Sequence, residues 1–117
     1  MNKLIYILMG LVFCAVCFAH NERYYQERFN DRQSHGKLEV VIPGGRIDIL
    51  TDDHAIEVDW AKKWKEGVEQ CLRYSRGTGK RPGLVLIADW SARDIGYCYK
   101  ATAVCFMLGI RLWIIEK

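Results

Sequence analysis

Leu84-Val85-Leu86-Ile87-Ala88 is an unbroken apolar run in a chain of 117 residues. It is short enough for a strand, and with no polar position it suits a strand covered on both faces. Such a strand needs a layer of helix above it and another below. Around it the chain supplies the rest of an α/β domain. Asn21 to about Gln33 reads as an amphipathic helix, broken by Ser34, His35 and Gly36. Lys37–Ile42 alternates as a strand, Pro43-Gly44-Gly45 marks a tight hairpin, and Arg46–Leu50 is the return strand. Thr51-Asp52-Asp53 is a turn and Ala55–Trp60 a third strand. Ala61–Arg76 is the clearest helix, with Trp64, Val68, Cys71, Leu72 and Ser75 on one side and Gly77 and Gly79 at its end. Ser91 or Asp89 caps a further helix to about Leu108, Gly109 stops it, and Ile110–Ile115 is a last strand. The expected order is α-β-β-β-α-β-α-β, a mixed sheet flanked by helices.

Composition narrows the field without naming a function. The chain is 50% hydrophobic, which excludes a disordered polymer, and it holds only one long apolar run, which excludes a polytopic membrane protein. A net charge of +3 does not by itself argue for nucleic acid, since a basic binding face would have to be local.

The long apolar run lies at the start. Lys3 precedes Leu4–Phe18, which is uncharged throughout, and Ala19 offers a small residue before the polar segment that begins at His20. Residues 1–19 therefore read as an export signal, or as an uncleaved membrane anchor, and 20–117 as one domain. The expected location is the periplasm or the extracellular space, with inner-membrane anchoring as the alternative. In that case residues 4–19 are the membrane contact. Cys17 stands where a cleavage site usually has Ala, and Val16 before it argues against lipid attachment. Removing the leader takes Lys3, Cys14 and Cys17, leaving Cys71, Cys98 and Cys105. None of these has a His at zinc spacing. Cys98 and Cys105, seven apart on one helix, stand roughly 10 Å apart along its axis and cannot bridge each other. Cys71 would be the partner of either.

Acids inside apolar strands are the clue to chemistry. Asp48 lies within the second strand, and Glu57 and Asp59, two apart and so on one face, lie within the third. A buried acid costs stability unless it is paired or bound to a cation, and acids converging from adjacent strands suit a hard divalent ion such as Mg²⁺ or Mn²⁺. On the helix that follows, Lys63, Gln70 and Tyr74 fall within about 40° of one another, away from the apolar stripe. A Lys, a Gln and a Tyr beside those acids suit phosphate binding and the positioning of a nucleophile.

At Gly45-Arg46-Ile47-Asp48, Glu57-Val58-Asp59 and Gln70-Cys71-Leu72-Arg73-Tyr74 the chain resembles the PD-(D/E)xK nuclease superfamily, in the motif order of its RecB-type branch. Over Arg46–Ile87 it also resembles a group of small bacterial proteins with the same acid strand, helix and Thr-Gly-Lys turn. The resemblance covers about residues 22–115. It implies a restriction-endonuclease-like mixed sheet and a Mg²⁺- or Mn²⁺-dependent nuclease that hydrolyses phosphodiester bonds of DNA by contacts to the phosphate backbone. A homodimer is compatible with so small a core. The implied metal ligands are Asp48 and Glu57, with Asp59 as a third acid. Gln70 and Tyr74 would support the site, and Glu27 or Glu39 would be an N-terminal acid completing it. One position departs from the family: its lysine, two residues after the second acid, is Asp59 here. Lys63 would then replace it, with Lys62 less well aligned. The alternative is a nuclease fold without catalysis, binding nucleic acid or a protein partner in the cell envelope. An exported toxin is a third class.

Other residues have plainer readings. His54 suits a turn or strand end, and Trp60 and Trp64, four apart, suit a packed aromatic pair. Arg73, Arg76, Lys80 and Arg81 form a small basic patch that either meets phosphates or complements the helix end.

Overall fold

The computed structural model describes residues 20–117. The expected leader and its cleavage lie outside the described residues. Among those described, no helix is long and apolar enough to cross a membrane.

Five strands form one sheet in the order β1 (Lys37–Ile42), β2 (Gly45–Leu50), β3 (His54–Trp60), β4 (Arg81–Ala88), β5 (Arg111–Glu116). β1, β2 and β3 are an antiparallel meander, and β3, β4 and β5 run parallel. Parallel neighbours need a crossover. α2 (Trp64–Thr78) makes the first and α3 (Ala92–Leu108) the second. α1 (Glu22–Phe29) precedes the sheet and continues into a π-helical turn over Asn30–Ser34. The order α-β-β-β-α-β-α-β is thus the one the pattern predicts.

β4 is the centre of the core, as its unbroken apolar run requires. Leu84 and Leu86 pack with Trp64, Val68 and Cys71 of α2 and Ala101 and Cys105 of α3. Val85 and Ile87 point the other way, to Tyr25 and Phe29 of α1. Successive residues of one strand therefore feed two cores. Tyr25 and Phe29 are four apart and so share one helix face. Asn21 caps that helix, its side chain accepting from the Tyr24 amide at 3.0 Å.

Some boundaries differ from the sequence expectation. Ala61–Lys63 is a 3₁₀ turn, so α2 starts only at Trp64 and runs past Gly77 to Thr78, with Gly79 in the left-handed conformation closing it. Trp60 and Trp64 are not a helical pair. Trp60 ends β3 and packs edge-on against Tyr25, while Trp64 starts α2 in the other core, because the 3₁₀ turn between them changes direction. Pro82 and Gly83 belong to β4 itself. Gly83 lies close under its neighbours there, since a Cβ would meet both Ile56 Cγ1 and Trp113 Cζ3 at 3.0 Å, tighter than ordinary contact.

Candidate functional site

The sheet opens at Asp48. In the register of β1 with β2, Leu38 faces Ile49 and Val40 faces Ile47, but the pair between them, Glu39 with Asp48, is not made. Glu39 instead takes a left-handed backbone, φ 54°, unusual for a side chain of its kind. On the other side, β2 and β3 pair at Leu50–Ala55 and Ile49–Ile56 and then part. The next pair in that register is Asp48 with Glu57. Their carboxylates take over bonds that backbone carbonyls would have made. Asp48 Oδ2 accepts from the Val58 amide at 2.9 Å, and Glu57 Oε1 accepts from the Asp48 amide at 3.3 Å. Gln26 of α1 reaches into the same break, donating to the Asp48 carbonyl at 3.0 Å and to Glu39 Oε1 at 3.2 Å.

A polar cleft of about 330 Å³ occupies this parting. Asp48, Glu57 and Asp59 line it from the sheet, Lys63, Gln70 and Tyr74 from the α2 side, and Glu22 from the first turn of α1. Asp48, Glu57, Asp59, Lys63, Gln70 and Tyr74, all read from the sequence, therefore line one cleft. Lys63 gets there from the 3₁₀ turn rather than from the helix. Lys62 does not; it lines a different cleft, with His20 and Arg93. His54 is far from the acids in role, beginning β3 and packing edge-on against Trp113.

Neither Glu27 nor Glu39, the two N-terminal acids expected, is among the residues lining the cleft. Glu27 is half exposed and pairs with Arg23 at 2.9 Å, one turn back on the same helix. Glu39 is held by Arg46, whose Nε lies 2.9 Å from its Oε2. That contact is an ion pair without hydrogen-bond alignment, since Oε2 has no directed donor. Glu22 lines the cleft instead. Directly after the Asn21 cap, it reads in sequence as an acid complementing the helix dipole, so nothing marks it as part of a site. Arg46 and Glu66 also line the cleft and had no separate signal.

The acids are crowded and dry. Glu57 is 4% exposed and Asp59 8%. Burial, followed by the nearby Asp48 charge, pushes the Glu57 carboxyl up to about 9. Burial and then the charge of Glu22 push Asp59 up to about 7, against the pull of Lys63. Asp48 is raised by burial in spite of the Val58 amide, and Glu22 by burial and by Asp48. Asp48 and Glu57 face each other across the parting, and the Asp48 charge disfavours ionisation of Glu57.

Whether such a set fits a divalent cation depends on its atoms. As the side chains stand, no group of three His, Cys, Asp or Glu among the described residues is arranged around an ion. Magnesium asks for less, since it keeps several waters and uses one or two carboxylates together with substrate phosphate. Asp48 and Glu57 present oxygen donors on adjacent strands, and the polar cleft they line has room for an ion that keeps its waters. The donor set fits.

Gly45 and Tyr74 explain each other. A Cβ on Gly45 would run into the Tyr74 hydroxyl and lie 2.7 Å from its Cε1, while the ring is buried against Ile47 and Ala55. The glycine that opens the first motif is what lets the tyrosine that ends the third reach the cleft. Gly45→Ala is expected to cost about 1–3 kcal/mol by overpacking. Urea unfolding at neutral pH measures this, and an unchanged midpoint would show that Tyr74 moves aside freely.

The fold and the cleft together define an α/β protein with an acid-lined polar site at a break in its sheet. The chain is 26% identical over 97 residues to a KilA-N domain-containing protein of Acanthamoeba polyphaga mimivirus. The match takes in 83% of this chain and 26% of that protein, so the chain spans about a quarter of the relative's length. No family model matches the chain, and no solved structure matches it.

Proposed function

We propose that the chain is a Mg²⁺-dependent nuclease of the PD-(D/E)xK type, hydrolysing phosphodiester bonds of DNA. The observation that carries this reading is the meeting of all three motifs, by way of Asp48, Glu57, Gln70 and Tyr74, in one polar cleft. The fold is compatible with a restriction-endonuclease-like core, an antiparallel meander whose third strand crosses by a helix to a parallel fourth. The relative's name speaks for the whole of that longer protein and is not carried over to this chain.

The chain's own groups have separate tasks. Asp48 and Glu57 would hold the cation, which when bound lowers the pKa of a water and offsets charge on the phosphate. Asp59 and Glu22 keep the cleft negative, so a cation is drawn to it before substrate. Lys63 faces Asp59 and Glu22 and brings its charge to the scissile phosphate, the task of the family lysine that Asp59 displaces. Arg46 stands at the rim, 65% exposed, within reach of a neighbouring phosphate. Gln70 and Tyr74 line the wall opposite the acids.

The test is cleavage of labelled single- and double-stranded DNA and RNA by residues 20–117, with Mg²⁺, Mn²⁺ or EDTA. Metal-dependent cutting of DNA is expected. Lys63→Ala should lower the rate at least ~10-fold and Lys62→Ala should leave it unchanged, since only the first lines the cleft. The second reading is a binding domain without catalysis, favoured by one observation: an acid, Asp59, occupies the position of the family lysine. DNA retained on a filter but never cut, with every metal, would select that reading.

A further inference from the structure

We infer that the outer flank of α3 and the free edge of β5 form one surface that pairs with a second copy of this chain. α3 has two unlike sides. Tyr97, Ala101, Val104 and Cys105 pack against the α2 cluster and β4. Ile95, Tyr99, Thr102 and Phe106, spaced four, three and four, lie on the opposite flank. There Tyr99 is 80% and Phe106 89% exposed. Ile95 and Cys98 share an apolar pocket of about 290 Å³ with Trp90 and with Ile114 of β5, so this flank overhangs the β5 edge.

β5 itself pairs only with β4 among the described residues. Its interior, Leu112–Ile115, carries no proline and no charge, and the charges of Arg111 and Glu116 stand only at its ends. An unpaired row of amides and carbonyls beside an apolar helix flank asks for a partner that brings both a strand and an apolar face. A second copy does so by symmetry. An isologous two-fold normal to the sheet sets β5 antiparallel to its copy and α3 alongside its copy on the same face. The area is sufficient. Trp90, Tyr99 and Phe106, each at least 78% exposed, offer together roughly 400–600 Å², at about 150–250 Å² per aromatic side chain. Ile95, Ile114 and the strand edge bring this near the ~800 Å² per partner of a standard interface. The acid cleft lies at β2 and β3, across the sheet from this edge, so pairing leaves it open.

Residues 20–117 and the full chain are tested side by side, since both elements of the surface, α3 and β5, lie within 20–117. Sedimentation velocity from 1 to 200 μM is expected to show a dimer, with β5 amides protected from hydrogen exchange as concentration rises. Tyr99→Glu with Phe106→Glu should raise the dimer dissociation constant at least ~100-fold while leaving the far-UV circular dichroism unchanged. Both side chains are exposed, so loss of fold is not the expected cost. A monomer throughout that range would overturn the proposal, as would a dimer indifferent to the double substitution. Two results would give the face another occupant and equally overturn it. One is a monomer that floats with phosphatidylcholine–phosphatidylglycerol vesicles and loses that with the same substitutions. The other is protection of the flank only when residues 1–19 are present.

Discussion

Glu57→Gln should abolish cleavage and, at pH 8, make the protein more stable. The two effects have one origin. In the wild-type fold the Glu57 carboxyl is buried beside Asp48 and pushed up to about 9. In the unfolded chain the same group ionises near its ordinary 4.5. At pH 8 folding therefore takes up a proton, and each pH unit above the unfolded value costs up to ~1.4 kcal/mol. Glutamine is neutral at every pH and nearly isosteric. Its amide can donate to Asp48 as the protonated acid does, and its carbonyl can still accept from the Asp48 amide. The variant escapes the cost and keeps the contacts. If Glu57 holds the proposed cation, the variant loses a ligand, which should lower cleavage at least ~100-fold, since even outer partners of metal ligands are worth 10–100-fold. Urea unfolding at pH 8 and pH 5, beside the cleavage assay, measures both. The stability gain should shrink towards pH 5. A variant less stable than wild type at both pH values would mean that Glu57 is an ordinary satisfied core acid. Stability sacrificed at a working site is a general pattern, and both effects together in Glu57→Gln would place Glu57 in it.

How much of this was legible in the sequence depends on which interactions are local. Leu84–Ala88 announced a strand covered on both faces because period and composition are properties of the strand alone. Gly109 and Ser91 marked the ends of α3 for the same reason, as the cap chemistry lies within a few residues. The convergence of Asp48, Glu57 and Asp59 followed from the register of β2 with β3, which the Thr51-Asp52-Asp53 turn between them fixes. What could not be read depends on non-local geometry. The opening of the sheet on both sides of Asp48, and the left-handed Glu39, arise where three strands fail to pair at one level, and no residue type signals that. Glu22 enters the cleft because α1 crosses the sheet at a particular angle, set by Tyr25 and Phe29 against Ile49 and Val58. Lys63 was expected on a helix and lies on a 3₁₀ turn, yet still lines the cleft. The offset of Trp60 from Trp64 is the same turn seen from the core side.

Without divalent ions the wild-type protein should lose stability as pH rises from about 4 to 8, and Mg²⁺ should restore it at the upper end only. Glu57 and Asp59 both have folded values above their unfolded ones, 4.5 and 3.8. The folded state then binds more protons than the unfolded, and stability falls with pH between the two values: up to about 9 for Glu57, up to about 7 for Asp59. The windows overlap from 4.5 to 7, where the decline should be steepest. Asp48 and Glu22, both raised, act in the same sense. His54 opposes them. Its burial lowers its folded value below 6.5, so its contribution is complete above that pH and fades as pH falls. Four raised acids against one lowered base leave the sum declining with pH. A divalent cation binds the ionised carboxylates and so competes with protons. At pH 8 and a concentration of 100 times the dissociation constant it should stabilise by about 2.7 kcal/mol, and at pH 5 by far less, because the site is held by protons. Thermal unfolding across pH 4–9, with Mg²⁺ or with EDTA, checks the sign. Stability rising from pH 5 to 8 in EDTA would mean that the cleft acids are ionised and paired in the fold, and the cation's place between Asp48 and Glu57 would lose its physical ground. A Mg²⁺ effect equal at both pH values would place the ion elsewhere on the surface.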